Sequence, residues 1–353
     1  MTERTWQPWG AAMQEALYGD RGFYHRPEGG PGHHFRTSTS ATTHFARALL
    51  RLASHVDAAL DFPPEFTVVE IAAARGALLT AMQDLAAAEA PQLAARLRLV
   101  AVELAARPPG LDPAIRWLGT LEDVVPRPVG LLVANEWLDN VVVDVVEQTA
   151  TGAAQVEVAR DGTERVGDPV STDQQRWLDE WWPLCDEGER AEIGAARDAA
   201  WLRAVAGLER GVAVCVDYAH TLPEREAGLW SGGTLTGYRA GRQVRAVPDG
   251  SCDLTAHVAI DAVESAGILG GATDTLLTDQ RSALRALGVR GSRPDVAGAR
   301  SDPVGYLRGL SQAGEEAELI ARDGLGDFAW LVQAVGVPLP AVLVGESEAP
   351  DSR

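Results

Sequence analysis

Four short apolar runs, each closed by a polar group, constrain this chain more than anything else in it. They read "FTVVEI" at 66–71, "LRLVAVEL" at 97–104, "VGLLVA" at 129–134 and "GVAVCV" at 211–216. Rich in β-branched residues and without polar alternation, they have the pattern of strands buried on both faces of a parallel sheet. Between the first two lies "GALLTAMQDLAAAEAPQLAARLR", whose apolar stripe at Leu78, Leu79, Met82 and Leu85 predicts a helix. The unit is βαβ, and its repetition predicts a doubly wound α/β sheet.

The rest of the chain departs from that rhythm. An amphipathic helix carrying Trp9, Met13, Ala16 and Leu17 is followed by the loop "HRPEGGPGHHFRTSTS" and a second helix in "THFARALLRLASHVDAAL". Residues 141–170 alternate as antiparallel strands do, and 172–208 read as one or two Trp-rich helices. The organisation expected is an N-terminal helical and loop cover at 1–60, a core at 61–140 and 209–340, an inserted subdomain at 141–208 and a disordered tail at 341–353.

With 353 residues, 46% of them hydrophobic, the chain is long enough for one large α/β domain with an insertion or for two domains. A net charge of −19 argues against nucleic acid, whose affinity comes from cations displacing counterions, and favours a basic partner. Lysine is absent, so all 31 basic residues are Arg, and neither a P-loop lysine nor a Schiff base is available. Cys185, Cys215 and Cys252 lie far apart and suggest neither a disulfide framework nor a thiolate metal site. No secretory signal and no apolar stretch of about 18 residues is present, so a cytoplasmic protein off the membrane is expected.

Ligands of an open parallel sheet bind beyond the carboxyl ends of the strands. Here those ends carry Glu70, Glu103, the turn "ANEWLD" with Asn135, Glu136 and Asp139, and "VDYAH" with Asp217, Tyr218 and His220. Glu103 stands where an acid accepts hydrogen bonds from both hydroxyls of a bound ribose, or else it is a solvated carboxylate. Glu70 needs backbone N–H groups, a cofactor amine or an ion pair with Arg75. A helix N-terminus would use one capping acid; three polar side chains in "ANEWLD" point to a functional site. His25, His33, His34 and His44 lack zinc spacing and read as part of a cover, with no metal expected. Trp177, Trp181 and Trp182 read as core. No G-x-S-x-G elbow, H-E-x-x-H or G-x-G-x-x-G turn is found, which disfavours hydrolase, zincin and dinucleotide oxidoreductase.

In this order, "VVEIAAARGALL", "GLLVANEWLDNVVVDVVE", "GVAVCVDYAH", "GTLTGYR" and "DLTAHVAIDAV" resemble segments of the MidA family, over about residues 18–335. These are class I S-adenosylmethionine (SAM)-dependent methyltransferases related to the mitochondrial complex I assembly factor that methylates arginine. The resemblance implies a Rossmann-like, seven-stranded, mostly parallel sheet with a smaller inserted α/β subdomain. It implies SAM as cofactor, held by Glu70, Ala72, Ala74, Gly76, Glu103, Leu104 and Asn135. Glu136 and Asp139 are the expected catalytic carboxylates, holding a guanidinium and taking up a proton. The partner expected is a protein substrate of a bacterial enzyme, with self-association into a homodimer left open.

Two departures stand out. The family's Glu-Leu-Gly-Pro-Gly-Arg-Gly is here Glu70, Ile71, Ala72, Ala73, Ala74, Arg75 and Gly76, and its Gly-Asp-Phe-x-Thr-Ser corresponds to His33 through Ser38 without the aspartate. A loop that keeps φ negative at the alanines would still present its N–H groups, so cofactor binding is expected to survive. The alternatives are a small-molecule methyltransferase, or an assembly and interaction protein, SAM-binding or SAM-free, whose altered loop no longer supports turnover.

Overall fold

The structure, a computed structural model, describes residues 4–25, 43–296 and 298–345. By its contacts the chain divides into two units, of which the larger comprises 43–135, 204–216, 271–296 and 298–345. It is built on seven strands: β1 (Phe66–Ile71), β2 (Leu97–Val102), β3 (Ile115–Leu118), β4 (Val129–Asn135), β5 (Arg210–Asp217), β6 (Asp274–Asp279) and β7 (Ala329–Val335). Their order across the sheet is β6-β7-β5-β4-β1-β2-β3.

The pairs β1–β2, β2–β3, β1–β4 and β4–β5 are parallel and β6–β7 is antiparallel, so the sheet is mixed, as expected of an α/β fold of this kind. The four apolar runs of the sequence are β1, β2, β4 and β5. Helix Ala77–Glu89 joins β1 to β2 and buries Leu78, Leu79, Met82 and Leu85. A Cβ on Gly130 would collide with the backbone of Thr67, and one on Gly211 with that of Gly130, so β1, β4 and β5 approach one another through residues that only glycine can fill. Chain order reverses between β1 and β4, which makes their carboxyl ends the switch point of the sheet.

His44, expected in a loop cover, is buried on helix Thr43–Ala59, its Nδ1 3.2 Å from the Glu316 carboxylate. His25 closes a 3₁₀ turn, Phe23–His25, and the remaining cover residues, His33 through Ser38 among them, lie outside the described residues. So does the tail beyond residue 345.

The smaller unit comprises 4–25, 136–203 and 217–270. It therefore takes in more of the chain than an insertion at 141–208 would. One sheet runs Gln7–Pro8, Gly152–Val158, Asp144–Thr149, Arg190–Ile193, with Glu164–Pro169 also on Gly152–Val158. Strand Arg190–Ile193 interrupts the stretch expected to be helical, separating helices Thr172–Trp181 and Ala195–Gly207. Its residues pair with Asp144–Glu147 and bury Ala191 and Ile193, so tertiary pairing overrides local helix preference. A second sheet is formed by Arg242–Val244, Thr236–Arg239 and Asp253–Thr255. Trp9, Met13 and Leu17 of helix Trp9–Tyr18 join Val145, Val156 and Leu254 in one core cluster, which is why the N-terminal helix belongs to this unit. Trp177 and Trp182 are core of a second cluster.

Among the described residues, no helix is long and apolar enough to cross a membrane, and no group of three or more His, Cys, Asp or Glu is placed to hold a metal. All three cysteines are free thiols.

Candidate functional site

In the larger unit, the turn after β1 is shaped by left-handed backbone at three positions: Ala72 at φ 56°, Ala74 at φ 48° and Gly76 at φ 73°. The two alanines therefore do not meet the condition of negative φ under which the turn was expected to present its N–H groups. The turn must reverse from the strand into helix Ala77–Glu89 within five residues, and its hydrogen bonds hold it there whether or not glycine is available. Ala72 N–H donates to Val102 O at 2.9 Å and Gly76 N–H to Ala73 O at 2.7 Å. A Cβ on Gly76 would stand 3.1 Å from Leu111.

Glu103 locks the turn to the end of β2. One carboxylate oxygen accepts Ala74 N–H and the other Ala105 N–H, both at 2.9 Å. The group is half-buried, and each oxygen keeps a second lone pair for another donor. Its neighbour Leu104 is 72% exposed.

Glu70 is buried at the end of β1 and accepts the Leu79 N–H in the first turn of the following helix. Oε2 has no hydrogen-bond partner among the described residues, and Glu70 makes no ion pair with the exposed Arg75. Burial, with the Glu103 charge added, pushes its carboxyl well above the usual range. Asn135 ends β4 and is buried.

In the smaller unit, the "EWLD" turn is a scaffold of carboxylates. Asp217 Oδ2 accepts the N–H groups of Trp137, Leu138 and Asp139 at 3.3, 2.9 and 3.3 Å, and Oδ1 accepts Tyr218 N–H at 3.0 Å. That satisfies the open end of the 3₁₀ turn Leu138–Asn140 from inside. Arg197, fully buried, spends its guanidinium on the carbonyls of Asp139, Val141, Ala256 and His257. Asn140 donates to Asp253 at 3.1 Å, and Tyr24 OH to the same oxygen at 3.2 Å.

The two expected catalytic carboxylates part company here. Asp139 is buried, with Oδ2 accepting Thr255 OH at 2.8 Å and Oδ1 without a hydrogen-bond partner among the described residues. Burial raises its pKa, opposed by Thr255 and Arg197. Glu136 is half-buried and sits in the left-handed region at φ 52°, a conformation that costs a non-glycine residue on the order of 1 kcal/mol. Burial and Asp139 push Asp217 well above the usual range, and burial followed by the Asp139 charge takes Asp253 to about 8.

Asp253, Thr255 and His257 were not singled out as individual residues by sequence reasoning. The signal was present in "DLTAH", where period-two spacing puts Asp253 and Thr255 on one side of strand Asp253–Thr255, with His257 just beyond its end.

A family profile described as "Putative S-adenosyl-L-methionine-dependent methyltransferase" matches residues 45–275, more than half of the chain. A Burkholderia thailandensis protein of the COG1565 superfamily, crystallised with S-adenosylhomocysteine bound, is similar at 27% identity and TM-score 0.76, covering 94% of this chain and 89% of that one. A native crystal structure of a COG1565 superfamily protein from the same organism gives 27% identity and TM-score 0.74, over 94% and 88%. No curated protein matches. The seven-stranded sheet, the profile and the likeness to a relative bound to S-adenosylhomocysteine agree with the resemblance to MidA proteins, and the chain belongs to this family of SAM-dependent methyltransferases.

Proposed function

We propose that the protein transfers a methyl group from SAM to a guanidine nitrogen of an arginine in a protein substrate. The observation that carries this reading is the strained turn of the smaller unit: Glu136, half-buried, is held in the left-handed region beside the buried carboxylates of Asp139 and Asp217. A residue held in a disfavoured conformation by its surroundings is characteristic of a functional position.

The residues of the larger unit fit the cofactor. Glu103 keeps lone pairs for two ribose hydroxyls, and the unpartnered Glu70 Oε2 suits the ammonium of the methionine part. Ala72, Ala74 and Gly76 give the turn small side chains, and Leu104 and Asn135 flank it from the ends of β2 and β4. The cofactor supplies a methyl activated on a sulfonium. A guanidinium is a poor nucleophile, so the chain has to orient one nitrogen and accept its proton. Glu136 is assigned both tasks. Asp139 is assigned a supporting one, fixing through Thr255 the turn from which Glu136 projects.

The test is transfer of a labelled methyl from SAM into arginine-bearing peptides and into a proteome lacking this protein, with product hydrolysed to amino acids. Methylarginine is expected; label recovered only in other residues or small molecules overturns the arginine assignment. Glu103→Ala is expected to abolish measurable S-adenosylhomocysteine binding by calorimetry, and unchanged affinity would remove Glu103 from the cofactor site.

A further inference from the structure

Three ring nitrogens in the smaller unit are buried without a hydrogen-bond partner among the described residues: His220 Nε2, Trp230 Nε1 and His257 Nδ1. They belong to mutually neighbouring rings. His220 lies 5.7 Å from Trp230 and 6.4 Å from His257, centroid to centroid, and Trp230 lies 5.0 Å from His257. Two short parallel strands, Ala219–His220 and Val258–Ala259, draw the histidines together, and Trp182 packs on His220 at 4.6 Å. His220 is 1% exposed, whereas Trp230 and His257 are half-buried.

The proton on His220 can be located. Arg225, which has donors only, reaches His220 Nδ1 at 2.7 Å, so Nδ1 accepts and Nε2 carries the hydrogen. Arg225 cannot turn away, being bound to both oxygens of Asp261 at 2.8 Å and to the carbonyls of Trp181 and His220. Burial and the Arg225 charge press the His220 pKa down to about 2, so the ring stays neutral. The cluster thus offers two fixed donors, His220 Nε2–H and Trp230 Nε1–H, beside one imidazole nitrogen of either role. Buried donors left unpaired are costly.

We infer that His220, Trp230 and His257 form a subsite for a neutral hydrogen-bond acceptor, the amide carbonyl of a peptide substrate. A guanidinium suits it poorly, because it has donors only and two of the three nitrogens, His220 Nε2 and Trp230 Nε1, are donors as well. A carboxylate is disfavoured by the acids nearby: Tyr218 stacks on His257 at 5.8 Å, and its own ionisation is opposed by burial and then by the charges of Glu136 and Asp139. The same tyrosine links this subsite to Glu136. A substrate carrying both an amide carbonyl and a cation would satisfy the two places together, as an arginine within a peptide does. The occupant rests on the arginine reading above; the subsite rests on the three nitrogens.

The test follows the indole N–H resonance of Trp230 in ¹⁵N-labelled protein, assigned with Trp230→Phe, during titration with N-acetyl-Gly-Arg-Gly-amide, N-acetyl-Gly-Gly-Gly-amide and methylguanidine. Both peptides are expected to shift it saturably and methylguanidine to leave it in place. Trp230→Phe is expected to bind the arginine peptide about tenfold more weakly, the loss of one hydrogen bond. If neither peptide moves the resonance, or if a peptide-bound crystal structure has a single ordered water bonded to the three nitrogens instead, the subsite is refuted. Movement with triglycine but no methylation of the arginine peptide supports the subsite and sinks only the arginine reading.

Discussion

Replacing Ala72 and Ala74 by glycine is expected to stabilise the protein, which is the reverse of what glycine does almost everywhere else. Both alanines sit in the left-handed region, at φ 56° and 48°, and the hydrogen bonds from Ala72 N–H to Val102 and from Ala74 N–H to Glu103 keep them there. An L-residue with a Cβ gives up roughly 1–2 kcal/mol in that conformation. Glycine avoids the strain but loses about 0.5–1 kcal/mol more chain entropy on folding. The difference favours glycine by about 0.5 kcal/mol at each position, or ~1 kcal/mol for the pair. Ala73 supplies the internal control: it lies between the two, is buried, and does not share the positive φ. Ala73→Gly gains no relief of strain and should lose about 1 kcal/mol. Thermal and urea midpoints of the three single variants and the 72/74 double variant decide the matter. Midpoints that fall for Ala72→Gly and Ala74→Gly, or rise for Ala73→Gly, refute the strain argument. Binding of S-adenosylhomocysteine, measured alongside, should be unchanged or tighter in the double variant, since two methyl groups leave the turn.

Asp217→Asn and Glu136→Gln should separate scaffold from chemistry. The asparagine has one acceptor oxygen for four backbone N–H groups and should cost about 2–3 kcal/mol by urea denaturation. Glu136→Gln should change stability by less than about 0.5 kcal/mol while lowering methyl transfer roughly a hundredfold; equal effects on both measures in both variants would contradict the division. Asp253 predicts a pH dependence. Its carboxyl titrates at about 8 in the folded protein against 3.8 ordinarily, so between those values the folded chain holds a proton the unfolded chain has lost. Its contribution to stability must therefore fall as pH rises from about 4 to about 8. Asp253→Asn should flatten this slope in melting temperatures taken from pH 5 to 8, and an unchanged slope would assign it to other groups.

Strands β1, β2, β4 and β5 were legible because parallel strands covered on both faces must be apolar throughout, and a run such as "VGLLVA" has few other uses. β3 and β6 were not, for the same physical reason inverted. They lie at the two edges of the sheet, where "IRWL" buries only Ile115 fully and "DTLLTD" buries none of its residues fully, and so lose the continuous apolar signature. β7 has the same apolar signature and follows the turn signal "DGLGD", so it was legible although it was not read as a strand. The extent of the smaller unit was illegible because it is assembled from three separated stretches, and no local pattern says that Trp9 will pack with Leu254. At the site, spacing could bring Glu70, Glu103 and Glu136 to strand ends. It could not report the sign of φ at Ala72, Ala74 or Glu136, which depends on what each turn must connect.

The carboxylates also show why the presence of an acid at a rim is a poor guide to its role. What distinguishes them is the acceptor capacity left after the fold has drawn on it. Asp217 is committed to four backbone N–H groups and Asp253 to Tyr24 and Asn140, so a ligand donor would have to displace structure to reach either. Glu103 has accepted one N–H at each oxygen and, being half-buried, can take one more at each; that is the demand of a pair of neighbouring hydroxyls. Glu70 has a whole oxygen unspent in a buried place, which a cation would satisfy and a hydroxyl would satisfy less well. Asp139 is unspent at Oδ1 too, but its other oxygen is tied to Thr255 and the turn around it to Arg197, so its freedom is that of a proton and not of a side chain. The residue assigned to face the substrate is Glu136 on a different ground, its backbone strain, which is sustained by the Asp217 and Arg197 contacts on the residues that follow it. Loosening either anchor should therefore weaken methyl transfer without touching cofactor affinity, because neither lies among the residues assigned to the cofactor.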